Sequence, residues 1–589
     1  MPKVTLTING QAVQADEGTT ILQAAQQAGI YIPTLCYHPD LRPEGVCRIC
    51  VVEVQGQRTL CPACIYPISG GMNIITHSPK VRQARKMITE LMLANHPQDC
   101  LTCAKNQKCE LQKLAKELGV QDIHFQGERK TYDPDESSPS IIRDPEKCIL
   151  CQRCVRVCHD VQSVGALFSS RRGWDTMVGP AFESRLEDVV CVYCGQCINR
   201  CPTGALKAKD PAPEVWEAIY DPSKHAVVQT APAVRAAIGE EFGMPAGSRA
   251  TGKMVTALRM LGFNKVFDTD FTADLTIMEE GHELIKRVKE GDVLPQITSC
   301  SPGWIKFIEH FYPELLPHLS TCKSPQQMFG ALAKTYYARK AGIDPKDIVV
   351  VSIMPCAAKK FECERPEMQD SGFKDVDYVL TTREAAGMMK EAGIDLPSLK
   401  DSEFDLPLGM STGAGVIFGN TGGVMEAAIR TAYAVLTGKE LDNVNIEAVR
   451  GIEGVRKAEV TIDNVLNLKA AVAHGLANAR QVLDGIKSGE FKDYHFIEIM
   501  CCPGGCIGGG GQPYPTSEEI RKKRIQAIYD EDQAMALRRS HENTAVKMLY
   551  EEFLGEPLSH KSHELLHTHY TPRDKKARAR GERVKVNAK

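Results

Sequence analysis

Three cysteine-bearing segments lie far apart in the chain and share a composition suited to metal chemistry. They are Thr298-Ser299-Cys300-Ser301-Pro302-Gly303-Trp304, Met354-Pro355-Cys356-Ala357-Ala358-Lys359-Lys360-Phe361-Glu362 and Cys501-Cys502-Pro503-Gly504-Gly505-Cys506, the last followed by the glycine ladder Gly508–Gly511. Thiolates are soft ligands suited to iron, and loops of this kind can converge on one cluster in a dry cavity. Glycines would let the backbone approach such a cluster and aim N–H groups at it. A phosphate loop is not indicated, because no Lys-Ser/Thr follows the ladder.

The other thiols fall into runs. Cys148, Cys151, Cys154 and Cys158 form C-x2-C-x2-C-x3-C, and Cys191, Cys194, Cys197 and Cys201 repeat it with Pro202 following. In paired runs of this type the fourth Cys serves the other cluster. That pairs Cys201 with the first three thiols and Cys158 with the second three. His159 stands where the first run would have its Pro. His96, Cys100, Cys103 and Cys109 form H-x3-C-x2-C-x5-C, four ligands that suit a [4Fe–4S] cluster or a zinc ion. Cys36, Cys47, Cys50 and Cys64 make a further set, with Cys61 left over. With 23 Cys at these spacings, metal binding is expected rather than disulfides.

These residues need elements to hold them. Val4, Leu6 and Ile8 alternate, Asn9-Gly10 supplies a tight turn and residues 11–15 return, which predicts a hairpin. A Thr19/Thr20 cap then opens a short helix through Ala28. Hairpin, helix and four spaced Cys resemble a plant-type ferredoxin domain of the β-grasp kind holding [2Fe–2S], here over residues 1–78. Residues 79–95 read as an amphipathic helix whose Met87, Ile88, Leu91 and Met92 form a core stripe. It leads into the one-His three-Cys site, in a domain over 79–135 that resembles the large peripheral subunit of complex I. A polar, Pro-containing stretch at 127–140 reads as a linker. Residues 136–210 form a two-[4Fe–4S] ferredoxin domain. From 211 to 515, apolar runs (Ala226–Val228, Ile348–Ile353) alternate with helical segments (Gly252–Leu261, Gln326–Ala341, Arg383–Ala392), which predicts α/β layers whose strands deliver loops. Residues 516–589 form a C-terminal helical segment and a basic tail from Arg573 that is expected to be disordered. The fold class is multidomain, α+β in the N-terminal part and α/β over 211–515.

A chain of 589 residues exceeds a single core, so three to five domains are expected. A net charge of −3 leaves no basic excess to argue for nucleic acid. Met1-Pro2-Lys3-Val4-Thr5 opens no apolar leader, and no run approaches the roughly 18 apolar residues of a membrane helix. The expected location is the cytoplasm.

The three cysteine loops, in this order behind these accessory sites, closely resemble the signature loops of [FeFe]-hydrogenases, and the resemblance covers essentially the whole chain. It implies interconversion of protons and dihydrogen at an H-cluster, a [4Fe–4S] cubane bridged by a thiolate to a diiron centre with CO, cyanide and azadithiolate supplied by maturation proteins. It also implies one [2Fe–2S] and three accessory [4Fe–4S] clusters. Cys356, Cys502 and Cys506 match cubane ligands, Cys506 also bridging. The first loop departs from the family, which carries two adjacent Cys there: the first relays protons and the second binds the cubane. Here the pair is Cys300-Ser301. Positional matching makes Cys300 the proton donor and Ser301 a weak fourth ligand that would alter the potential; alternatively the loop shifts and Cys300 binds the cubane, or Cys501, where the family often has Ala, completes the set. Lys359 matches a Lys that hydrogen-bonds cyanide, though alone it could be a surface ion pair. Met354, Pro355 and Met500, with Ala231, Pro232, Ser324 and Gln326, match pocket walls. Glu280, Glu283, Ser320 and Arg287 match a proton relay, which needs groups that both accept and donate.

This resemblance implies a catalytic subunit exchanging electrons with ferredoxin or, in NAD(P)-linked and often electron-bifurcating assemblies, with flavin- and NAD-binding partner subunits. A stand-alone ferredoxin-dependent enzyme, a hydrogenase-like sensor and a non-catalytic relay subunit are the alternatives.

Overall fold

The computed structural model describes residues 2–573 apart from 126 and 463–465. The basic tail beyond residue 573 lies outside the described residues, and so does its expected disorder.

The N-terminal hairpin forms as its alternation predicts. Strands Lys3–Ile8 and Gln11–Asp16 pair with Ile8 opposite Gln11, and the two-residue turn places Asn9 and Gly10 at positive φ. Lys3–Ile8 also runs parallel to Asn73–Ile75, giving a mixed five-stranded sheet completed by Val51–Val54 and Cys61–Pro62. Helix Ile21–Gln27 packs on this sheet. Thr20 and Gln23 close a reciprocal capping box at its start, a motif that stabilises a helix by about 1 kcal/mol.

Helix Pro79–Ala94 starts at a Ser78 cap, but its expected stripe is half wrong. Ile88 and Met92 pack inward, whereas Met87 and Leu91 are about half exposed. The buried face follows Val81, Arg85 and Thr89 at four-residue steps, with the Arg85 guanidinium donating to the Val51 carbonyl at 2.8 Å. A buried arginine thus holds a position that the apolar pattern would give to Met87.

The part that carries the three loops contains two four-stranded sheets. One is parallel throughout, in the order Lys265–Asp268, His225–Thr230, Ile348–Met354, Tyr378–Thr381. The other runs Gln296–Ile297, Phe496–Met500, Leu466–His474, Val455–Ile462, parallel except for its last pair. The inner strands His225–Thr230, Ile348–Met354 and Phe496–Met500 are largely apolar and almost wholly buried, as expected of strands covered on both faces. The buried 22-residue helix Thr269–Glu290 packs against helices Pro325–Leu332 and Gly423–Thr437. The C-terminal helices, Glu518–Ala534 and onward, pack back onto this part.

Candidate metal centres and active site

Parallel strands collect chemistry at their carboxyl ends. Ala231-Pro232 follows strand His225–Thr230 and Pro355-Cys356 follows Ile348–Met354 in one sheet. In the other, Thr298–Cys300 follows Gln296–Ile297 and Cys501–Cys506 follows Phe496–Met500. Cys356, Cys502 and Cys506 face one another. Cys300 faces Cys506 on one side and Glu280 on the other, with Lys359 close by.

The glycine ladder packs the catalytic loops together. A Cβ at Gly508 would lie 2.1 Å from the Pro503 carbonyl oxygen, one at Gly509 2.2 Å from that of Pro355, and one at Gly510 2.4 Å from that of Cys194. The glycines therefore allow backbone to pack on backbone of three cysteine loops. Their N–H groups are largely spent on protein: Gly508 donates to Gly505, Gly509 to Cys506 and Gly511 to Pro355. Side chains of the ferredoxin-like part lock the same ladder, Gln196 donating to the Gly508 carbonyl at 2.9 Å and Asn199 to that of Gly509 at 2.7 Å.

The proton-relay residues sit on the buried helix. Glu280 and Glu283 lie one turn apart with Arg287 one turn further, so all three share a face. Ser320 Oγ donates to Glu283 at 2.8 Å and also hydrogen-bonds Glu280. Arg287 donates to the other Glu283 oxygen at 2.7 Å and to the Leu319 carbonyl at 2.7 Å. Burial, reinforced by Glu283, pushes the Glu280 carboxyl up to about 8. Glu280, Ser320, Glu283 and Arg287 form a buried hydrogen-bonded run, and Cys300 faces its Glu280 end.

Lys359 is buried at the site. Its ammonium donates to the Cys300 carbonyl at 3.2 Å and to Glu362 at 2.8 Å. Glu362 Oε2 also accepts from Ser324 at 2.8 Å and Gln326 at 3.2 Å, so one carboxylate orients three pocket residues. Met354 and Met500 are buried at the ends of their strands, and Ala231 and Pro232 open a short buried turn.

Sequence reasoning passed over several groups here. Glu362 stood within the quoted second loop without a role. Glu498, in the middle of a strand, faces Cys300, Cys506 and Glu280. Burial pushes it up to about 7, although the Gly422 and Met425 N–H groups donate to it. Glu279 is fully buried, and its carboxylate accepts from Tyr550, Ser562, His567 and the Leu558 N–H. Those hydrogen bonds outweigh burial and hold it below the ordinary glutamate value. His567 in turn meets Thr321 Oγ1 at 2.7 Å, placing the C-terminal segment against the outer end of the relay.

The accessory sites assemble as separate clusters of thiols. Cys36 contacts Cys47 and Cys64, and Cys64 contacts Cys50, while Cys61 turns toward the Thr59 carbonyl. One cavity is lined by Cys148, Cys151, Cys154 and Cys201, and a second by Cys158, Cys191, Cys194 and Cys197; the two runs are thus paired crosswise. Backbone N–H groups point at sulfur in both, Leu150 at Cys148 (3.4 Å) and Ala166 at Cys158 (3.3 Å). Cys103 and Cys100 face Cys109. His96 Nδ1 is buried without a hydrogen-bond partner among the described residues, and burial holds the imidazole below its ordinary value. An orphaned, neutral imidazole nitrogen, on the residue that opens the His96, Cys100, Cys103, Cys109 run, fits a metal ligand. Arg156 ties two sites together, donating to the carbonyls of Cys36 at 2.6 Å and Cys151 at 3.3 Å.

Clustered soft donors, crossed ferredoxin runs and a buried acid chain ending at the catalytic loops define an iron–sulfur redox enzyme that handles protons. Residues 224–510 match the C-terminal domain of the iron only hydrogenase large subunit, and 518–573 the iron hydrogenase small subunit. Residues 1–79 match a 2Fe-2S iron-sulfur cluster binding domain, 85–124 the NADH-ubiquinone oxidoreductase-G iron-sulfur binding region, and 138–207 the ferredoxin-like domain of NADH-quinone oxidoreductase subunit 3. The chain is 52% identical over 591 residues to an NADP-reducing hydrogenase subunit of Solidesulfovibrio fructosivorans, spanning 98% of this chain and 100% of that one. It is 43% identical to iron hydrogenase 1 of Clostridium pasteurianum, across 96% of this chain and 99% of the relative. The apo structure of a Chlamydomonas reinhardtii [FeFe]-hydrogenase variant superposes with a TM-score of 0.56 at 43% identity, covering 62% of this chain and 99% of that one. The protein belongs to the iron-only hydrogenase family. It is a hydrogenase whose catalytic domain takes an H-cluster and whose N-terminal domains take [2Fe–2S] and [4Fe–4S] clusters. Among the described residues no helix is long and apolar enough to cross a membrane.

Proposed function

We propose that this chain is the catalytic subunit of a multimeric NAD(P)-linked hydrogenase of the electron-bifurcating kind, acting in the cytoplasm. Electrons pass between its N-terminal clusters and ferredoxin or flavin- and NAD-binding partner subunits. The relative named as an NADP-reducing hydrogenase subunit, aligned end to end, supports this reading, as do the two NADH-oxidoreductase-type domains.

The chain is read as five units: 1–78, 79–135, 136–210, 211–515 and 516–589. Cys36, Cys47, Cys50 and Cys64 hold a [2Fe–2S] cluster. His96, Cys100, Cys103 and Cys109 hold one [4Fe–4S], Cys148, Cys151, Cys154 and Cys201 a second, and Cys191, Cys194, Cys197 and Cys158 a third. Cys356, Cys502 and Cys506 hold the H-cluster, which supplies the redox centre where protons and electrons become dihydrogen or the reverse.

The chain's own residues manage the proton. The Cys300 thiol carries it at the cavity wall. Glu280 holds it on a carboxyl that stays mostly protonated at neutral pH, because ionising in that buried site costs more than in water. The Ser320 hydroxyl passes it to Glu283, and Arg287 pairs with Glu283 and orients it. Lys359, fixed by Glu362, presents its ammonium to an anionic ligand of the cluster. The observation that carries this reading is the buried hydrogen-bonded run from Glu280 through Ser320 and Glu283 to Arg287, with Cys300 facing its inner end.

The test is dihydrogen evolution from reduced methyl viologen by protein matured with the diiron cofactor, with infrared spectra of its CO and cyanide stretches. Turnover with those bands is expected, followed by NAD(P)H-dependent turnover once partner subunits are added. Bands without turnover would favour a sensor, and turnover with ferredoxin alone in the full assembly would favour a stand-alone enzyme.

A further inference from the structure

A cubane takes four ligands from the protein, and Cys356, Cys502 and Cys506, which face one another at the catalytic loops, supply three of them. Three residues compete for the fourth position: Cys300, Ser301 and Cys501. We infer that Cys501 supplies the fourth thiolate of the catalytic cubane, in place of Ser301. This rests on the hydrogenase reading above.

The two departures in the loops touch. Ser301 Oγ accepts the Cys501 N–H at 3.3 Å. Ser301 stands at the N-cap of helix Pro302–Phe311, where a serine normally caps its own helix, yet its side chain makes no cap hydrogen bond. Its oxygen is committed to the third loop instead. Thr298 Oγ1 accepts the Ile499 N–H at 3.2 Å, so the two loops are stitched at a second point. An alcohol at ordinary pKa is also a poor partner for iron beside three soft thiolates.

Cys300 is placed for another task. It faces Glu280, the first relay acid, and the Lys359 ammonium lies on its carbonyl. Binding iron would remove the thiol from the proton path.

Cys501 has the chemistry and the position. It is 2% exposed, adjacent in sequence to Cys502, and its thiol interacts with that of Cys502. On its other side it meets Cys194, a thiol of the second crosswise cavity. Gln162 fixes its peptide, donating to the Cys501 carbonyl at 3.1 Å. Gly303 makes room for the sulfur: a Cβ there would lie 2.7 Å from Cys501 Sγ. Ligation exchanges the Cys501 S–H bond for an S–Fe bond, with the proton released to solvent and no change of oxidation state. It also places a cubane ligand in contact with Cys194, a thiol lining the neighbouring cavity, which gives an electron a direct link between the two.

The test uses full-length protein produced without the diiron cofactor and labelled with 57Fe, with Cys356→Ala defining the spectrum of the accessory clusters alone. Mössbauer and EPR spectra of Cys501→Ala are expected to lose the catalytic four-iron cluster or convert it to a three-iron form. Ser301→Ala keeps it, and Cys501→Ala combined with Ser301→Cys regains it. Unchanged accessory signals show that each variant is folded. Retention of the four-iron cluster in Cys501→Ala overturns the inference, as does its loss in Ser301→Ala. Retention in Cys501→Ala together with loss in Cys300→Ala would assign the position to Cys300. A wild-type protein whose spectrum equals that of Cys356→Ala would instead sink the hydrogenase reading itself.

Discussion

Glu280→Gln separates proton transfer from structure more cleanly than any other change at this site. Glu280 is 2% exposed, and its carboxyl is pushed from 4.5 to about 8 by burial and by Glu283. At pH 7 it is therefore protonated in roughly nine molecules of ten. Glutamine reproduces the shape and neutrality of that form but has no proton to give. Relay groups of this kind contribute about 10²- to 10⁴-fold, and turnover is expected to fall within that range with cluster content unchanged. The same substitution has a second, independent signature. A carboxyl with a raised folded pKa adds stability that is complete below its unfolded value, near 4.5, and is lost as pH rises through about 8. For this shift the loss is on the order of 5 kcal/mol across that window. Glu280→Gln cannot ionise, so its thermal stability should decline less than wild type between pH 5 and pH 8. The assays are dihydrogen evolution from reduced methyl viologen, normalised to iron content, and melting temperature against pH. Turnover within about threefold of wild type would refute the relay, and an unchanged pH slope of melting would refute the raised carboxyl.

Three other outcomes follow from the geometry. Cys158→Ala should damage the cluster lined by Cys191, Cys194 and Cys197 and spare the one lined by Cys148, Cys151 and Cys154, read by EPR of the reduced protein. Gly510→Ala forces a Cβ to 2.4 Å from the Cys194 carbonyl oxygen and 2.7 Å from the Gly195 Cα, both backbone atoms, so it should destabilise the chain by about 1–3 kcal/mol or more in denaturant titration. Glu362→Gln leaves the buried Lys359 ammonium without its carboxylate; a loss of about 3–5 kcal/mol is expected, along with shifted cyanide bands in the infrared.

Spacing made much of this molecule legible, because a cluster of fixed size constrains the distance between its ligands along a short loop. The crossed pairing of Cys158 and Cys201 is such a case, and the hairpin at Asn9-Gly10 is its backbone counterpart. What spacing misses is whatever answers to the third dimension alone. Glu498 alternates with apolar neighbours along a strand, and nothing in that pattern distinguishes a cluster-facing acid from a misplaced polar residue. Glu279 and Glu280 are adjacent in sequence, yet one is drawn down by four donors from the C-terminal segment and the other pushed up by burial and a carboxylate neighbour. Their difference is set by residues some 270 positions apart, such as Tyr550. The Met87 stripe fails for the same reason: Arg85 is buried by a carbonyl of a separate sheet strand that the helix pattern does not encode.

The glycine ladder meets a physical demand beyond the expected approach of backbone to a cluster. The missing side chains of Gly508–Gly511 let the third loop lie directly on Pro355 and Cys194, while Gln196, Asn199 and Arg383 bind the ladder's carbonyls. A cluster-holding loop in contact with a relay-cluster loop must keep its position, since electron transfer and ligand geometry both depend on it. Side chains would add slack and bulk at that contact, whereas backbone packed on backbone is stiff. The ladder is thus better understood as the joint between the electron relay and the catalytic centre. On that view, damage from Gly510→Ala should extend to electron delivery: rapid reduction of the accessory clusters by dithionite should persist while their equilibration with the catalytic cubane slows. Equal rates in the variant and wild type would return the ladder to a purely local role.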